Sequence, residues 1–544
     1  MGQSRSPRTH PDVVPQRRRR LGAAAGCLLA LLSSQAAVPA APPGATGGFE
    51  VAEATIDDVH RAIASGRATC EQVVQAYLTR IETYDRASGL NAVTVVNPRA
   101  LERARAIDRR LAAGEPVGEL YCITVLVKDN FDTHDLPTTG GSVAMLDSRP
   151  PDDAFMVRRL READAIVIAK TNMAEWAFSP RQTRSSSYGI TANAYALDRV
   201  PAGSSGGTAS AVAASFGTVG LGTDTGNSIR GPASHLALFG IRSTLGLTSR
   251  DGVIPLVLDR DVAGPLTRTV ADGARVFEVV AGYDPADPMT ELGRDRHPPG
   301  YRAALRADGL HGLRIGVLRA LARPEDADPE ILALFDAALE DLRRGGAALV
   351  DPFVIPALAD HLAADNFCPR FRYDLGGYLE SLGDGAPFDD VMVAFERGQH
   401  ADYVADRLAF FGGYPADVPP ERWNPPCPAF PHHPGRRAYL DGVIEAMDAA
   451  GVDAVVHPTW THPPAPLASA VADYRGDNSQ LVAPATGLPA ATVPMGFRGG
   501  ALPAGLQILA RPYAEPMIFR IAYAYEQATR HRRAPAAFPP LADP

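Results

Sequence analysis

Apolar residues recur at helical spacing from Thr55 to Asp85 and from Asn97 to Ala113, with Thr55 and Asn97 placed to cap, which predicts amphipathic surface helices. The pattern then changes. Ile123-Thr124-Val125-Leu126-Val127 and Ala165-Ile166-Val167-Ile168-Ala169 are short, continuous and β-branched, as expected of strands buried on both faces. Each ends in a polar cluster, Lys128-Asp129-Asn130 and Lys170-Thr171-Asn172, at the position where open α/β sheets place their sites. Further strands are predicted at 314–318, 454–456, 491–493 and 505–509, with helices at 329–344 and 517–529 between them. The alternation predicts an α/β chain, one large α/β/α domain around a mixed, mostly parallel, twisted sheet. Residues 367–434 break the rhythm, gathering Phe371, Tyr373, Tyr378, Phe410, Phe411, Tyr414 and Trp423 among prolines and glycines, and predict an insertion that lines or covers a pocket.

The amino terminus has its own pattern. Arg17 to Arg20 precede an apolar run from Leu21 to Leu32 and a small-residue stretch ending at Ala40, which reads as a secretory signal peptide over residues 1–40. Paired arginines are compatible with the twin-arginine route, and the expected location is periplasmic or secreted. The run is too short to span a bilayer, so no stable membrane insertion is expected. Residues 41–540 are then the folded domain.

With 46% hydrophobic and 21% charged residues, the 544-residue chain has ordinary globular composition, and its net charge of -9 offers no field for a nucleic-acid backbone. Cys70, Cys122, Cys368 and Cys427 show no metal-ligand spacing and read as buried thiols; pairing of Cys368 with Cys427 stays open. Lysine occurs only at Lys128 and Lys170, so 51 of the 53 basic residues are arginine. A lysine kept in such a chain suggests a task guanidinium cannot perform, such as giving up a proton.

The segment Pro201 to Ala233 carries the most information. Its glycines lack the Lys-Ser/Thr of a phosphate cradle, and Asp224-Thr225-Gly226 has no second copy to form an aspartic dyad. Gly203-Ser204-Ser205-Gly206-Gly207 fits a nucleophile elbow on Ser205 in form, but the preceding Tyr195 to Ala202 reads as loop rather than strand. The Gly-Ser-Ser-Gly-Gly block, the 24-residue step from Ser204 to Ser228, the Asp-Thr-Gly-x-Ser-Ile-Arg block and the upstream Val-Lys-Asp-Asn together resemble the amidase signature family. Lys170-Thr171-Asn172, Ser187-Tyr188-Gly189, Gly487-Leu488-Pro489-Ala490 and Leu502 to Gln507 are similar to further blocks of that family.

The resemblance implies a cofactor-independent, metal-free serine hydrolase acting on a small-molecule amide: Ser228 as nucleophile, Ser204 as relay after a cis Gly203-Ser204 peptide, and neutral Lys128 as base. A free lysine titrates near 10.4, so burial has to lower it by about 3 units. Backbone N–H groups of Thr225, Gly226, Asn227 and Ser228 are the expected oxyanion donors, with Asp224 and Arg230 as a bracing ion pair and Ser205 as a hydrogen-bonding support. Lys170 is expected to be a structural cation. Two departures stand out: Asn227 where the family commonly has glycine, and Cys122-Ile123-Thr124 where it has Gly-Ile-Pro. Alternatives of the same resemblance are the amidase component of a tRNA-dependent amidotransferase, an ester or carbamate hydrolase, or an inactive binding protein. The sequence leaves assembly into a homo-oligomer open.

Overall fold

Thr55 accepts from the Asp58 backbone N–H and Asp58 accepts from that of Thr55, a reciprocal cap that starts helix Ile56–Ala64. A second such cap, Thr69 with Gln72, starts Cys70–Ser88. The periodic stretch from Thr55 to Asp85 is therefore two helices, separated at Gly66, which takes a left-handed φ of 70°. The next helix runs Ala100–Ala112 with Arg99 at its cap position, two residues beyond the cap expected at Asn97, whose side chain instead accepts from the Arg99 N–H.

The computed structural model describes residues 49–298, 300–364 and 366–541. The expected signal peptide lies outside them. The strands are β1 (Val93–Val96), β2 (Thr124–Lys128), β3 (Ile166–Thr171), β4 (Arg184–Ser185), β5 (Gly189–Ile190), β6 (Val219–Asp224), β7 (Phe239–Arg242), β8 (Val262–Thr267), β9 (Arg314–Val317), β10 (Ala348–Val350), β11 (Ala454–Pro458), β12 (Ala490–Arg498) and β13 (Leu502–Ala510). All except the small β4–β5 hairpin join one 11-stranded sheet in the order β1-β3-β2-β6-β8-β7-β12-β13-β11-β9-β10.

The sheet is mixed, as expected, but it is not mostly parallel. Parallel pairing is confined to β3-β2-β6 on one side and β11-β9-β10 on the other. Between them β8, β7, β12, β13 and β11 pair antiparallel. The short chain reversal between β12 and β13 can only make a hairpin, whereas the parallel pairs need longer crossovers. One such crossover is helix Gly206–Ala213, built of Gly, Ala, Ser, Thr and Val and buried at every residue. Its small residues allow close approach: a Cβ at Gly207 would lie 2.1 Å from the Asn172 carbonyl oxygen.

The four cysteines correct the buried-thiol expectation. Cys70 bonds to Cys122 and Cys368 to Cys427, with Cα separations of 5.3 and 5.9 Å, inside the range a disulfide spans. The first fastens helix Cys70–Ser88 to the turn before β2, where Cys122 has a left-handed φ of 63°. This is a conformation that suits the glycine usual at that place. Thr124, in place of proline, uses its hydroxyl to accept from the Thr218 N–H at 2.9 Å, so the start of β2 is intact.

The second disulfide ties the two ends of the 367–434 insertion. Phe371, Tyr378 and Phe411 are buried in a cluster with Met145, Trp176, Phe178 and Ile254, so the insertion packs on the main domain rather than forming a separate core. Phe410 points outward and is 46% exposed. Among the described residues no helix is long and apolar enough to cross a membrane.

Candidate active site

Lys128 is the last residue of β2 and Asp224 the last of β6, so two neighbouring parallel strands deliver them to the same end of the sheet. Ser204 comes from the loop before helix Gly206–Ala213, and its peptide bond to Gly203 is cis. A Cβ at position 203 would stand 2.3 Å from the Ser179 carbonyl oxygen, which restricts that place to glycine. Lys128 is fully buried, and its Nζ lies 2.7 Å from Ser204 Oγ and 2.7 Å from Thr223 Oγ1. Burial pushes this lysine down to about 7, with Asp261 and then Asp224 opposing the shift. Among the described residues the ammonium that burial disfavours has no carboxylate in direct contact, so the amine keeps a lone pair available near neutral pH.

Ser228 sits in the short loop between β6 and helix Arg230–His235 and is 5% exposed. Asp224 closes this loop. Its carboxylate accepts from Arg230 Nε and Nη2, from Arg242 Nη1 at 3.1 Å, and from the backbone N–H groups of Ile229 and Arg230. The two guanidinium groups hold Asp224 down at about 2, although burial alone would raise it. Arg230 also donates to the Gly226 and Ser479 carbonyls and to Gln507. The expected Asp224–Arg230 brace is present, and Arg242 is a second arm of it.

With the Ile229 and Arg230 N–H groups turned to Asp224, those of Gly226, Asn227 and Ser228 have no hydrogen-bond partner among the described residues. The Ser228 hydroxyl lies 3.4 Å from Asn227 Oδ1, its own neighbour, rather than on Ser204. Thr225 donates to Asp261 at 2.5 Å, and Asn227 donates to Asp477 at 2.9 Å and to the Pro180 carbonyl. Asn227 does not have a positive φ, so this position does not need glycine's freedom. The asparagine instead ties the loop to the 474–480 segment, where Asp477 also receives Tyr474 and Gln480.

Ser205 directs its hydroxyl to the Thr223 carbonyl at 3.1 Å and receives the Thr223 N–H, which commits it to β6. Lys170 is equally buried, but its Nζ meets the Phe131 and Pro137 carbonyls, the Thr133 and Thr138 hydroxyls and the Asp129 carboxylate. It organises the loop after β2 as a structural cation. Asn130 bridges Thr223 and the Ile254 carbonyl. Thr223 immediately precedes the Asp-Thr-Gly-x-Ser-Ile-Arg block in the sequence; Asp261, Arg242 and Asp477 reach the site from 18 to 250 positions away and carry no local sign of it. Among the described residues the one cluster with metal-ligand spacing is His134, Asp135 and Asp153, and Arg161 already pairs with both of its carboxylates.

The sequence profile of the Amidase family matches residues 72–396. A glutamyl-tRNA(Gln) amidotransferase component from Thermosynechococcus vestitus is 34% identical over 87% of this chain and 98% of its own. A "probable amidase" of Arabidopsis thaliana is 30% identical over 90% and 92%. The crystal structure of a peptide amidase from Stenotrophomonas maltophilia superposes with a TM-score of 0.78 at 34% identity, covering 90% of this chain and 99% of that one. These likenesses extend across the sheet and the site together, and the chain belongs to the amidase signature family.

Proposed function

We propose that this chain hydrolyses a carboxylic amide to acid and amine or ammonia through an acyl-enzyme on Ser228, with Ser204 as proton relay and neutral Lys128 as general base. The observation that carries the reading is the 2.7 Å contact of Lys128 Nζ with Ser204 Oγ in surroundings that bring this lysine to about 7. Turning Ser228 about χ1, away from Asn227 and toward Ser204, sets up transfer of its proton to Ser204 while Ser204 gives its own to Lys128. The Ser228 oxygen then attacks the substrate carbonyl. The free N–H groups of Gly226, Asn227 and Ser228, together with that of Thr225, are suited to receive the oxyanion. The proton returns through Ser204 to the departing amine, and water resolves the ester by the same route.

Hydrolysis of a panel of small amides and esters, with fluorophosphonate labelling, tests this. Ser228→Ala and Lys128→Arg should abolish turnover, and Ser205→Ala should remain largely active, because the Ser205 hydroxyl serves β6. A label on Ser205, or full rate in Lys128→Arg, would refute the assignment.

A second reading has a specific observation behind it, the 34% identity to an amidotransferase component over nearly that protein's whole length. Under it the same site would release ammonia for a partner. Amide turnover by the purified chain alone, without stimulation by added amidotransferase partner proteins, would refute it.

Export is part of the proposal. The arginines before Leu21–Leu32 support it, and so do two disulfides, since such bonds persist in oxidising compartments. A mature amino terminus beyond Ala40 in the exported fraction is the expected finding; a full-length protein retained in the cytoplasm would count against it. The 367–434 insertion, packed against Trp176 and Phe178, is proposed to shape acyl selectivity.

A further inference from the structure

Thr223 touches the base and also lines a small cavity. Its Oγ1 receives Lys128 Nζ at 2.7 Å and Asn130 Nδ2 at 3.2 Å, so both lone pairs are engaged and its own proton is left to donate elsewhere. The cavity is lined by Asn130, Thr223, Thr225, Val253, Ile254 and Asp261, among others, and gives about 10 Å³ to the centre of a water-sized sphere. That is room for one water. Asn130 Oδ1, on a residue only 2% exposed, has no hydrogen-bond partner among the described residues, and such an acceptor is the kind of group a buried water satisfies.

Asp261 provides the charge. Its carboxylate accepts from Thr225 Oγ1 at 2.5 Å and from the Leu256 and Val257 N–H groups at 2.8 and 2.9 Å. All three partners are donors, which favours the ionised form, although burial raises this carboxyl above its ordinary value. The other charged groups around the base are already matched. Asp224 is held by Arg230 and Arg242, Asp129 by Lys170, and Arg250, which also lines the cavity, by Asp287. Asp261 is thus the acid on this side of Lys128 without a cation of its own in contact among the described residues.

We infer that Asp261 is a positioning residue that stabilises the lysinium formed when Lys128 takes the proton, acting through the Thr223 hydroxyl and one water held between Thr223, Asn130 Oδ1 and Asp261. The inference rests on the reading of Lys128 as base. No proton passes to Asp261. The proton that leaves Ser228 is matched by the one gained at Lys128 Nζ, and the carboxylate faces that new charge across the hydroxyl and the water until the leaving amine takes the proton back.

A chain with two lysines makes the test direct. Full-length protein labelled with ¹³Cε-lysine gives two resonances, and Lys128→Met identifies that of Lys128. Asp261→Asn should lower the Lys128 midpoint by on the order of one pH unit, the scale of a nearby opposite charge. The acid limb of kcat/KM should move with it, and kcat should fall at least about tenfold with KM little changed, the pattern expected for an interaction made in the transition state. Thr223→Val should shift the midpoint in the same direction and Thr223→Ser should restore it, which keeps the test decisive if Asp261→Asn does not fold. A Lys128 that titrates near neutrality in every variant, unmoved by either substitution, would overturn the role of Asp261 alone. A Lys128 that stays charged to about pH 10 in the unaltered protein would instead overturn the assignment of the base, and this inference with it.

Discussion

Replacing Lys128 by methionine separates what this side chain does for the reaction from what it does to the fold. In the unfolded chain the amine titrates near 10.4; in the folded protein burial brings it to about 7. Between these values the unfolded state binds one more proton than the native state, so this residue makes stability rise with pH. At pH 7 the native state carries a penalty of about 4 kcal/mol relative to pH well above 10, obtained from the two titration midpoints. Methionine removes that penalty but leaves the Ser204 and Thr223 hydroxyls without their shared partner, a loss of roughly 1–3 kcal/mol for each that finds no other. That loss does not depend on pH. The expected result is an inactive variant whose stability at pH 7 is near that of the parent, and whose deficit grows by about 4 kcal/mol as pH is raised to 10.4. Denaturant unfolding of both proteins at matched pH values gives the difference and cancels every other titrating group. A difference that stays constant from pH 7 to about 10.4 would refute a depressed native value for Lys128, and with it the argument that this amine is neutral at working pH.

Other expectations follow from the same geometry. Asp224→Asn removes the charge between Arg230 and Arg242 and should lower stability by about 3–5 kcal/mol, with loss of fluorophosphonate labelling at Ser228 as the loop opens; normal labelling in a folded variant would contradict the brace. Because Asp224 is held at about 2, its contribution of roughly 2 kcal/mol is present above pH 4 and is lost as pH falls toward 2, which acid unfolding of the parent and the variant would reveal. Breaking Cys368–Cys427 by paired serine substitution releases a 59-residue span and should lower stability by about 4 kcal/mol on the loop-closure argument, seen first as proteolysis within 367–434; unchanged protease resistance would show that packing alone holds the insertion. Phe411→Ala should destabilise by about 3–5 kcal/mol and alter relative rates across an acyl panel, because Phe411 packs on Phe178 and Phe371, whereas the 46% exposed Phe410 should tolerate alanine.

Much of the architecture could be read where the determinant is local. The Thr55 cap, the unbroken β-branched run of β2 and the Gly-Ser-Ser-Gly-Gly block each state their structure within a few residues. Strand direction in the centre of the sheet is set by which strands meet across the chain, and β8 and β12, interrupted by Gly264-Pro265 and by Pro494, lack the continuous apolar run that marks β2. The cysteine pairs were hidden for the same reason: Cys70 and Cys122 are 52 positions apart, and only the packing of helix Cys70–Ser88 against the turn before β2 brings them together. Within the site, Lys128, Ser204, Asp224 and Ser228 were legible because they lie in motif blocks. Asp261 and Asp477 are single acidic residues in ordinary loops, and their importance arises from which loop folds over which.

The scarcity of lysine is where composition and geometry inform each other. Both lysines are completely buried at the ends of adjacent strands β2 and β3, yet their surroundings differ in the way that decides protonation. Lys170 is given carbonyls, hydroxyls and the Asp129 carboxylate, acceptors that support an ammonium against the pull of burial. Lys128 is given two hydroxyls, Ser204 and Thr223, and among the described residues its nearest carboxylates stand off beyond direct contact. Two neutral hydroxyls support an ammonium less than a carboxylate in contact does, so burial outweighs them, and the amine is left near its transition at neutral pH. An arginine at either place would stay charged and would need room for a planar fork. The strand-end lysine that organises a loop and the one suited to take a proton are thus distinguished by their acceptors rather than by depth.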